Sequence, residues 1–335
     1  MGFARAVLAA RQAVRAVLAE LDPGTSVLVA CSGGSDSLAV ALAVAAEAEP
    51  AAVLPRAVTI DHGILPGSAE RAAELVEVLE RHMPARSIRI DPSGAEGPEG
   101  SARTERYRAI AGEARRVGGP ALVLLGHTLD DQAETVLMGL GRGSGPRSIA
   151  GMRPRGLLPG TDDVPFARPF LALTRVALQD ALRGWGASWW EDPSNRADGP
   201  WRAADGRPLR RAAVRDRALP ALSEALGLDV RGPLARTASL LQDDLDYIDG
   251  AADAALAGAR AGEGLALEAL RPLHAAIRTR VLRAWLLGLG ARAGELTGWH
   301  VAAVDRLLDG ETGKGIDVPG LRVARTRDCL VPVVE

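Results

Sequence analysis

Short apolar runs alternate with longer amphipathic segments through the first half of the chain. The apolar runs are rich in Val, Leu and Ile and predict buried strands at residues 26–31, 57–61, 87–91 and 121–127. Between them, apolar positions recur at helical spacing, which predicts helices over residues 36–48, 68–82, 102–117 and 129–140. Alternating strands and helices are typical of right-handed crossovers, so the pattern predicts an α/β fold with a doubly wound, mostly parallel sheet.

The second half of the chain changes character. Residues 141–220 are rich in Gly, Pro and Arg, with a helical stretch at 174–185. Helical spacing then returns at 234–261, 267–287 and 297–308, and strand-like runs follow at 316–318, 321–324 and 330–334. We therefore predict an α/β domain over residues 1–220 and a smaller helical domain over 221–335 that ends in a short β element.

Composition and charge narrow the class of protein. The formal net charge is −2, so any nucleic acid must be met by a local basic patch. The two cysteines, Cys31 and Cys329, exclude a disulfide framework and a four-cysteine metal site within one chain. No uncharged apolar run reaches the roughly 18 residues of a membrane span, and the arginines among the first twenty residues are unlike a signal peptide. The sequence thus predicts a cytoplasmic protein that does not associate with a membrane.

Residues 32–37, SGGSDS, form the densest motif and directly follow the first predicted strand. Gly33 and Gly34 allow the backbone to curl so that successive N–H groups face one anion, and the next helix contributes its positive end. A carboxylate at Asp36 would repel phosphate, but it suits an Mg²⁺ ion held between the carboxylate and phosphates. A helix cap after a glycine turn is the alternative. The motif is not a Walker loop. Such a loop around Lys314 would need glycine at position 308, which is Leu308, and Ser or Thr directly after the lysine, where this chain has Gly315.

A second motif, GHTLDDQAET, covers residues 126–135 at the end of the fourth predicted strand. On a helix it brings His127, Asp130, Asp131 and Glu134 together over the first turns. Thr128 and Asp131 are also compatible with a capping box, which would explain one of the acids. Because ligands bind at the carboxyl ends of parallel strands, we expect both motifs at one edge of the sheet.

Further short motifs follow these two in a fixed order. They are DHGIL at 61–65, AR at 102–103, RY at 106–107, RGSG at 142–145, AGM at 150–152, RP at 168–169 and EDPSN at 191–195. SGGSDS resembles the pyrophosphate loop of N-type ATP pyrophosphatases, and the ordered set resembles tRNA(Ile)-lysidine synthetase from Ser32 to about Leu222. Two positions depart from the family pattern: Thr128 stands where a second His is frequent, and Ala212 where an Asn is usual.

The resemblance implies a reaction and its partners. ATP with Mg²⁺ would adenylate the C2 oxygen of the wobble cytidine in tRNA(Ile) with a CAU anticodon, releasing pyrophosphate. The ε-amine of free L-lysine would then attack C2 and expel AMP. An ordinary amine pKa of about 10.4 means that the reactive form must be generated at neutral pH, so the acid cluster must hold the cation and accept its proton. Family members are often dimeric, which leaves a homodimer open.

The resemblance also implies roles for residues. The ATP-binding set is Ser32, Gly33, Gly34, Ser35, Asp36, Ser37, Asp61 and Arg103, with Asp36 as the metal ligand. The catalytic set is Asp36, Arg106, His127, Asp131 and Glu134. The lysine-binding set is Asp130, Asp131 and Glu134. The tRNA-binding set is Arg142, Arg147, Arg153, Arg211 and Arg215, with Trp185, Trp189, Trp190 and Trp201 near the second basic segment.

Three other functions compete with this one. A tRNA 2-thiolation enzyme would share the loop and the substrate but generally relies on additional cysteines, for which this chain has no suitable candidate. A small-molecule synthetase of the superfamily would release pyrophosphate without tRNA. An RNA-binding scaffold with an inactive nucleotide site would not need Asp36 or the complete acid cluster.

Overall fold

The chain forms two compact units, residues 1–239 and 240–335, in a computed structural model. The structure describes residues 2–63, 67–91, 97–143, 145–193, 196–199, 202 and 206–333, with only the backbone for 97–102. The motif residues Ile64, Leu65, Ser144, Ser194 and Asn195, as well as Trp201 and Val334, lie outside the described residues.

The first unit contains the predicted parallel sheet. Its strands are β1 (Ser26–Ala30), β2 (Leu54–Asp61), β3 (Ala85–Arg89), β4 (Ala121–Leu125), β5 (Arg155–Leu157) and β6 (Pro165–Ala167). Its helices are α1 (Phe3–Leu18), α2 (Ser35–Glu47), α3 (Ser68–Glu80), α4 (Gly97–Arg116), α5 (Leu129–Arg142), α6 (Pro146–Ile149), α7 (Arg175–Gly184), α8 (Arg210–Ala213) and α9 (Leu219–Leu226), with a π-helical turn at Val214–Ala218. Helix α10 (Arg231–Ala259) begins in this unit and continues into the second.

The six-stranded sheet has the order β3-β2-β1-β4-β6-β5. All neighbouring strands are parallel except β5 and β6, which are antiparallel. This confirms the predicted mostly parallel α/β fold. Strand β4 ends at Leu125, so Gly126 and His127 lie beyond the strand rather than in it.

The central strand β1 is buried along its length and separates two hydrophobic layers. Val27 and Val29 pack into the layer that contains α1, α2 and α7, whereas Leu28 and Ala30 pack into the layer that contains Tyr107 of α4. Because side chains alternate along a strand, one apolar run supplies both layers. The burial stabilises the sheet by about 1.5–3 kcal/mol for each large side chain.

Helix α1 belongs to the first layer, although the sequence analysis assigns no element to residues 3–18. Ala6, Ala10, Val14 and Val17 form its buried stripe. The spacing is helical, so the signal for this helix is present in the sequence.

The second unit is built on an antiparallel sheet. Its strands are β7 (Arg260–Ala261), β8 (Gly264–Ala266), β9 (Gly315–Val318), β10 (Leu321–Arg325) and β11 (Cys329–Val333), in the order β7-β8-β11-β10-β9. Its helices are α11 (Leu267–Leu270), α12 (Ala275–Gly288) and α13 (Gly298–Arg306), followed by a 3₁₀ turn at Leu307–Asp309. The predicted helix 267–287 is therefore wrong as one element. It is interrupted after Leu270, because Pro272 has no backbone N–H with which to continue the helical hydrogen bonds.

The division between the units lies inside α10, later than the predicted boundary at residue 220. Leu219 and Val230 are buried against Ala133 of α5, so the segment after residue 220 packs with the first unit. The boundary at 220 stays a prediction about functional domains.

The backbones of helices α5 and α6 approach each other closely at Gly139 and Ser148. A Cβ on Gly139 would lie 1.7 Å from the carbonyl oxygen of Ser148, whereas a Cβ on Gly141 would meet nothing within 4 Å. We expect Gly139→Ala to lower the free energy of unfolding by about 1–3 kcal/mol or more, because the two backbones must separate. Gly141→Ala in the same helix should be neutral or stabilising by up to about 1 kcal/mol. Urea unfolding of both variants measures this, and equal effects would contradict the packing.

Candidate active site

The SGGSDS loop lies at the carboxyl end of β1 and leads into α2. Gly33 has φ +83, a conformation that glycine adopts readily. Within the described residues, the backbone N–H groups of Gly34, Ser35 and Asp36 have no hydrogen-bond acceptor. Three free donors at a helix N-terminus are chemically suited to an anion.

The serines of the loop hold its shape. The Ser37 hydroxyl accepts a hydrogen bond from the backbone N–H of Ser32 at 3.0 Å and donates to the carbonyl of Gly34 at 3.2 Å. The Ser32 and Ser37 hydroxyl oxygens are 3.1 Å apart. The Trp190 backbone N–H donates to the Gly33 carbonyl at 3.1 Å, so the segment near residue 190 holds the loop at Gly33.

Gly126 brings the second motif against the first. A Cβ at this position would lie 2.8 Å from the Cα of Ser37 and 2.9 Å from its backbone nitrogen. The end of β4 therefore contacts the first turn of α2 directly. This close approach confirms that both motifs lie at one edge of the sheet.

The capping-box alternative for the second motif is correct for one acid. Thr128, which is fully buried, caps α5: its hydroxyl accepts a hydrogen bond from the Asp131 N–H at 3.3 Å, and Asp131 Oδ2 accepts from the Thr128 N–H at 2.8 Å. Asp131 Oδ1 remains directed to other partners. Asp130 and Glu134 take no part in the cap, so capping explains only one of the three acids.

Arg175 links the two motifs and was missed by the sequence analysis. Its Nε donates to Asp36 Oδ2 at 2.9 Å and its Nη2 to Asp131 Oδ1 at 3.2 Å. Burial raises the pKa of Asp36, while the Arg175 charge opposes that rise. The pKa of Asp131 is lowered: burial favours its protonated form, but Arg175 and the Thr128 N–H outweigh burial.

Two further arginines neutralise the remaining acids. Arg215 binds Glu134 through two hydrogen bonds, of 2.6 and 3.1 Å, and Glu134 has 0% exposure. Burial raises the pKa of Glu134, although Arg215 opposes the shift. Arg231 donates to Asp130 Oδ1 at 2.6 Å. Arg215 lies in the π-helical turn, an irregularity that is frequent at functional sites.

Asp130 and Glu134 also border a cleft of about 510 Å³. Arg215, Arg231 and Asp229 contribute to its wall, with Leu219, Pro220, Ser223, Glu224 and Leu228 completing the lining. The wall thus presents both carboxylates and guanidinium groups to a ligand.

His127 lies at the start of α5 beside Arg168. Arg168 Nε donates to His127 Nδ1 at 3.0 Å, which leaves the ring proton on Nε2 in the neutral tautomer. Burial and the Arg168 charge lower the pKa of His127 to about 3. The imidazole is therefore neutral at physiological pH and a weak proton acceptor.

Arg106 is the exception to the pattern of paired charges. It is half-buried on α4, and among the described residues it has no hydrogen-bond or ion-pair partner. Burial and the neighbouring Arg103 charge lower its pKa, and its own charge helps to lower the pKa values of His62 and His127. An unpaired, partly desolvated guanidinium at this edge is suited to an anionic ligand.

Asp61 and Arg103, predicted to bind ATP, have partners of their own. Asp61 is buried at the end of β2 and accepts a hydrogen bond from the Gly63 N–H at 2.9 Å. Although burial opposes it, hydrogen bonds from Ser68 and Gly63 lower the Asp61 pKa. The exposed Arg103 guanidinium lies 5.2 Å from the centre of the Tyr107 ring.

The structure separates the predicted tRNA-binding arginines into two groups. Arg142 at the end of α5, and Arg147 and Arg153 in the segment that follows it, are exposed. Arg211 and Arg215 lie near Glu134 instead, with nitrogen–oxygen distances of 3.7 and 2.6 Å. Trp185 and Trp189 pack against the core, whereas Trp190 is 38% exposed.

The described residues place some limits on the site. They contain no preformed group of three metal-ligating side chains. Asp36 nevertheless suits Mg²⁺, which proteins usually hold with one or two carboxylates and the phosphates of the substrate. None of the helices in the described ranges has the length and apolar character needed to cross a bilayer.

Two protein families match this chain. Residues 8–221 match the PP-loop domain, and residues 265–331 match the TilS substrate binding domain. The tRNA(Ile)-lysidine synthase of Thermobifida fusca is 43% identical over 95% of this chain and 94% of its own length. That of Salinispora tropica is 44% identical over 98% of this chain and 96% of its own length. The chain belongs to the tRNA(Ile)-lysidine synthase family.

Membership of this family confirms the resemblance drawn from the ordered motifs. Thr128, which departs from the family pattern, serves as the cap of α5, and Ala212, the other departure, is buried. Among solved structures, the U34-tRNA thiolase NcsA from Methanococcus maripaludis with its [4Fe-4S] cluster has a TM-score of 0.52 at 17% identity, over 70% of this chain and 78% of its own. That likeness shows a shared fold.

The lowered pKa of His127 predicts a pH-dependent stability in this member of the synthase family. The folded protein keeps His127 neutral down to about pH 3, whereas the unfolded chain protonates it below about 6.5, so unfolding takes up a proton between these values. Its contribution to stability is present above pH 6.5 and is lost as the pH falls toward 3.

We expect wild type to lose about 1–2 kcal/mol more than His127→Asn between pH 7 and pH 5, because Asn can still accept from Arg168 but does not titrate. Urea unfolding at the two pH values measures the difference. Parallel losses in the two proteins would contradict a neutral, buried His127.

Proposed function

We propose that this protein joins L-lysine to C2 of the wobble cytidine of tRNA(Ile) with a CAU anticodon. ATP activates the C2 oxygen by adenylation with release of pyrophosphate, and attack by lysine then releases AMP. One observation carries the proposal: an anion-binding loop and a carboxylate cluster adjoin at Asp36, which belongs to the loop and shares Arg175 with Asp131. A nucleotide and an amine therefore have neighbouring sites.

The loop would hold the outer phosphates of ATP. The N–H groups of Gly34, Ser35 and Asp36 and the hydroxyl of Ser32 would supply donors, while Gly33 and Ser37 would maintain the curl. When bound, Mg²⁺ would neutralise phosphate charge, and Asp36 is the residue placed to hold it. Arg106 would stabilise the charge that develops on the α-phosphate, with Arg103 as a more exposed second cation.

The cleft beside α5 would hold free L-lysine. A free amino acid carries both ammonium and carboxylate groups, and the cleft offers Asp130 and Glu134 to the first and Arg215 and Arg231 to the second. Asp131 is connected to the phosphate loop through its contact with Arg175. The carboxylates of Asp130 and Asp131 would favour the protonated ammonium form of the lysine side chain and so bind lysine as a cation.

The attacking amine must lose a proton. Attack forms the nitrogen–C2 bond, breaks the bond from C2 to the AMP oxygen, and transfers the proton to a base on the protein. His127 and Asp131 have lowered pKa values, whereas burial raises the pKa of Glu134. We therefore assign Glu134 as the proton acceptor, because a base with a higher pKa accepts the proton more readily.

The exposed arginines would contact the RNA. Arg142, Arg147 and Arg153 form the outer group, and the half-exposed Arg211 lies nearer the site. Arg215 would act between the RNA and the acid cluster, because it already pairs with Glu134. Phosphate contacts of this kind position an anticodon loop whose bases are unstacked. A homodimer and a cytoplasmic location belong to the same proposal.

Replacing Asp36 tests the metal-binding role. We expect Asp36→Asn to reduce pyrophosphate release by about a hundredfold or more, because a neutral amide cannot replace the carboxylate beside Mg²⁺ and phosphate. Release is measured with ATP, lysine and unmodified tRNA(Ile), each omitted in turn. Asp163→Asn, which removes an exposed acid, should retain wild-type activity. Turnover in Asp36→Asn near that of the control, or release that does not need tRNA, would overturn the assignment.

Arg106 offers a second test with a matched control on the same helix. Arg106→Gln should lower kcat for adenylation by about 10²–10³-fold with little change in fold, because it removes a cation that strengthens its contact as charge develops. Arg108→Gln removes an exposed arginine that pairs with Glu105 and should leave kcat unchanged. Single-turnover formation of adenylated tRNA separates the two, and equal rates would exclude Arg106 from the α-phosphate.

A further inference from the structure

Arg175 occupies the position between the two acids that adjoin the phosphate loop. Its side chain is 21% exposed, and its guanidinium reaches Asp36 and Asp131 at 2.9 and 3.2 Å. In the described part of the chain, it is the cation that forms an ion pair with Asp36. The nucleotide site therefore contains a positive charge supplied by the protein itself.

The backbone around Arg175 is held by the start of α5. The Arg175 N–H donates to Asp130 Oδ2 at 2.8 Å, and the Leu129 N–H donates to the Leu173 carbonyl at 2.9 Å. Thr174 caps α7 by accepting a hydrogen bond from the Ala177 N–H at 3.2 Å. These bonds place the guanidinium where the two carboxylates converge.

A divalent cation at Asp36 would compete with this guanidinium for the carboxylate. Two cations in contact repel strongly at a partly buried site, and both Asp36 oxygens already have donors: Oδ2 accepts from Arg175 and Oδ1 from the Ser35 hydroxyl, each at 2.9 Å. We propose that Arg175 is a resident counter-cation that Mg²⁺ displaces from Asp36 only when nucleotide phosphates arrive. This inference rests on the proposed metal-binding role of Asp36.

The arrangement makes metal binding conditional on the nucleotide. Without phosphates, Mg²⁺ would have to remove Arg175 and gain few ligands in return. With phosphates present, their oxygens complete the coordination of Mg²⁺ and their charge attracts the released guanidinium. Arg175 is thus a positioning residue that acts through Asp36.

The test measures binding of Mn²⁺, as a probe for Mg²⁺, to the full chain without nucleotide, using the electron paramagnetic resonance signal of free Mn²⁺. We expect Arg175→Gln to bind Mn²⁺ at least about tenfold more tightly than wild type, because one competing charge has been removed. The double variant Arg175→Gln with Asp36→Asn should lose this gain. Arg183→Gln, which removes an exposed arginine from the same helix, should behave as wild type.

Two outcomes would overturn the inference. One is a folded Arg175→Gln, verified by circular dichroism, that binds Mn²⁺ no better than wild type. The other needs no Arg175 variant: wild type that binds Mn²⁺ through Asp36 as tightly without ATP as with it. Arg175→Lys keeps a charge that cannot bridge both acids, so its Mn²⁺ affinity should fall between wild type and Arg175→Gln.

Neither binding measurement depends on turnover. A wild type that forms lysidine while Arg175→Gln gains no Mn²⁺ affinity would reject this inference alone. Failure to form lysidine would instead reject the proposed function, whatever the Mn²⁺ result.

Discussion

Carboxylates buried at the edge of a sheet are costly unless each has a cation within reach, and this constraint organises the first unit. Asp36, Asp131 and Glu134 lie at or beside the carboxyl ends of β1 and β4, where water is partly excluded. Their partners Arg175 and Arg215 come from segments far along the chain. Removing one partner from such a pair leaves a buried charge uncompensated, which is strongly destabilising. The parallel sheet and the later helices of the unit are therefore joined by charge as well as by apolar packing.

The same site contains a region in which the charge is not balanced. Among the described residues, three N–H groups at the start of α2 have no acceptor, and Arg106 has no partner. A guanidinium left unpaired beside acids that arginines neutralise is chemically suited to an anion. The contrast between the two regions is the physical basis for assigning phosphate to one and an amine to the other.

The sequence predicted that the two motifs lie at one edge of the sheet, but it did not describe the interactions there. The glycines of SGGSDS and the position of GHTLDDQAET after a strand predicted the correct edge of the sheet. The Thr128–Asp131 cap was predictable as well, because capping depends on residues three apart in one helix turn. Arg175 was not predictable in this way, since its partners are separated from it by long stretches of chain and no local pattern distinguishes it from other arginines. For the same reason, the sequence groups Arg215 with the RNA-binding arginines, and only the fold shows that it pairs with Glu134.

By itself, the sequence determined the alternation of strands and helices from β1 to α5, the glycine loop and the family resemblance, because these depend on local periodicity, backbone freedom at glycine and short motifs. Only the tertiary structure decided which charges meet, which acids are buried and which imidazole stays neutral. Ion pairing and desolvation depend on distances across the fold, and residues remote in sequence set those distances. The chain thus specifies its scaffold through neighbours in sequence and its chemistry through neighbours in space.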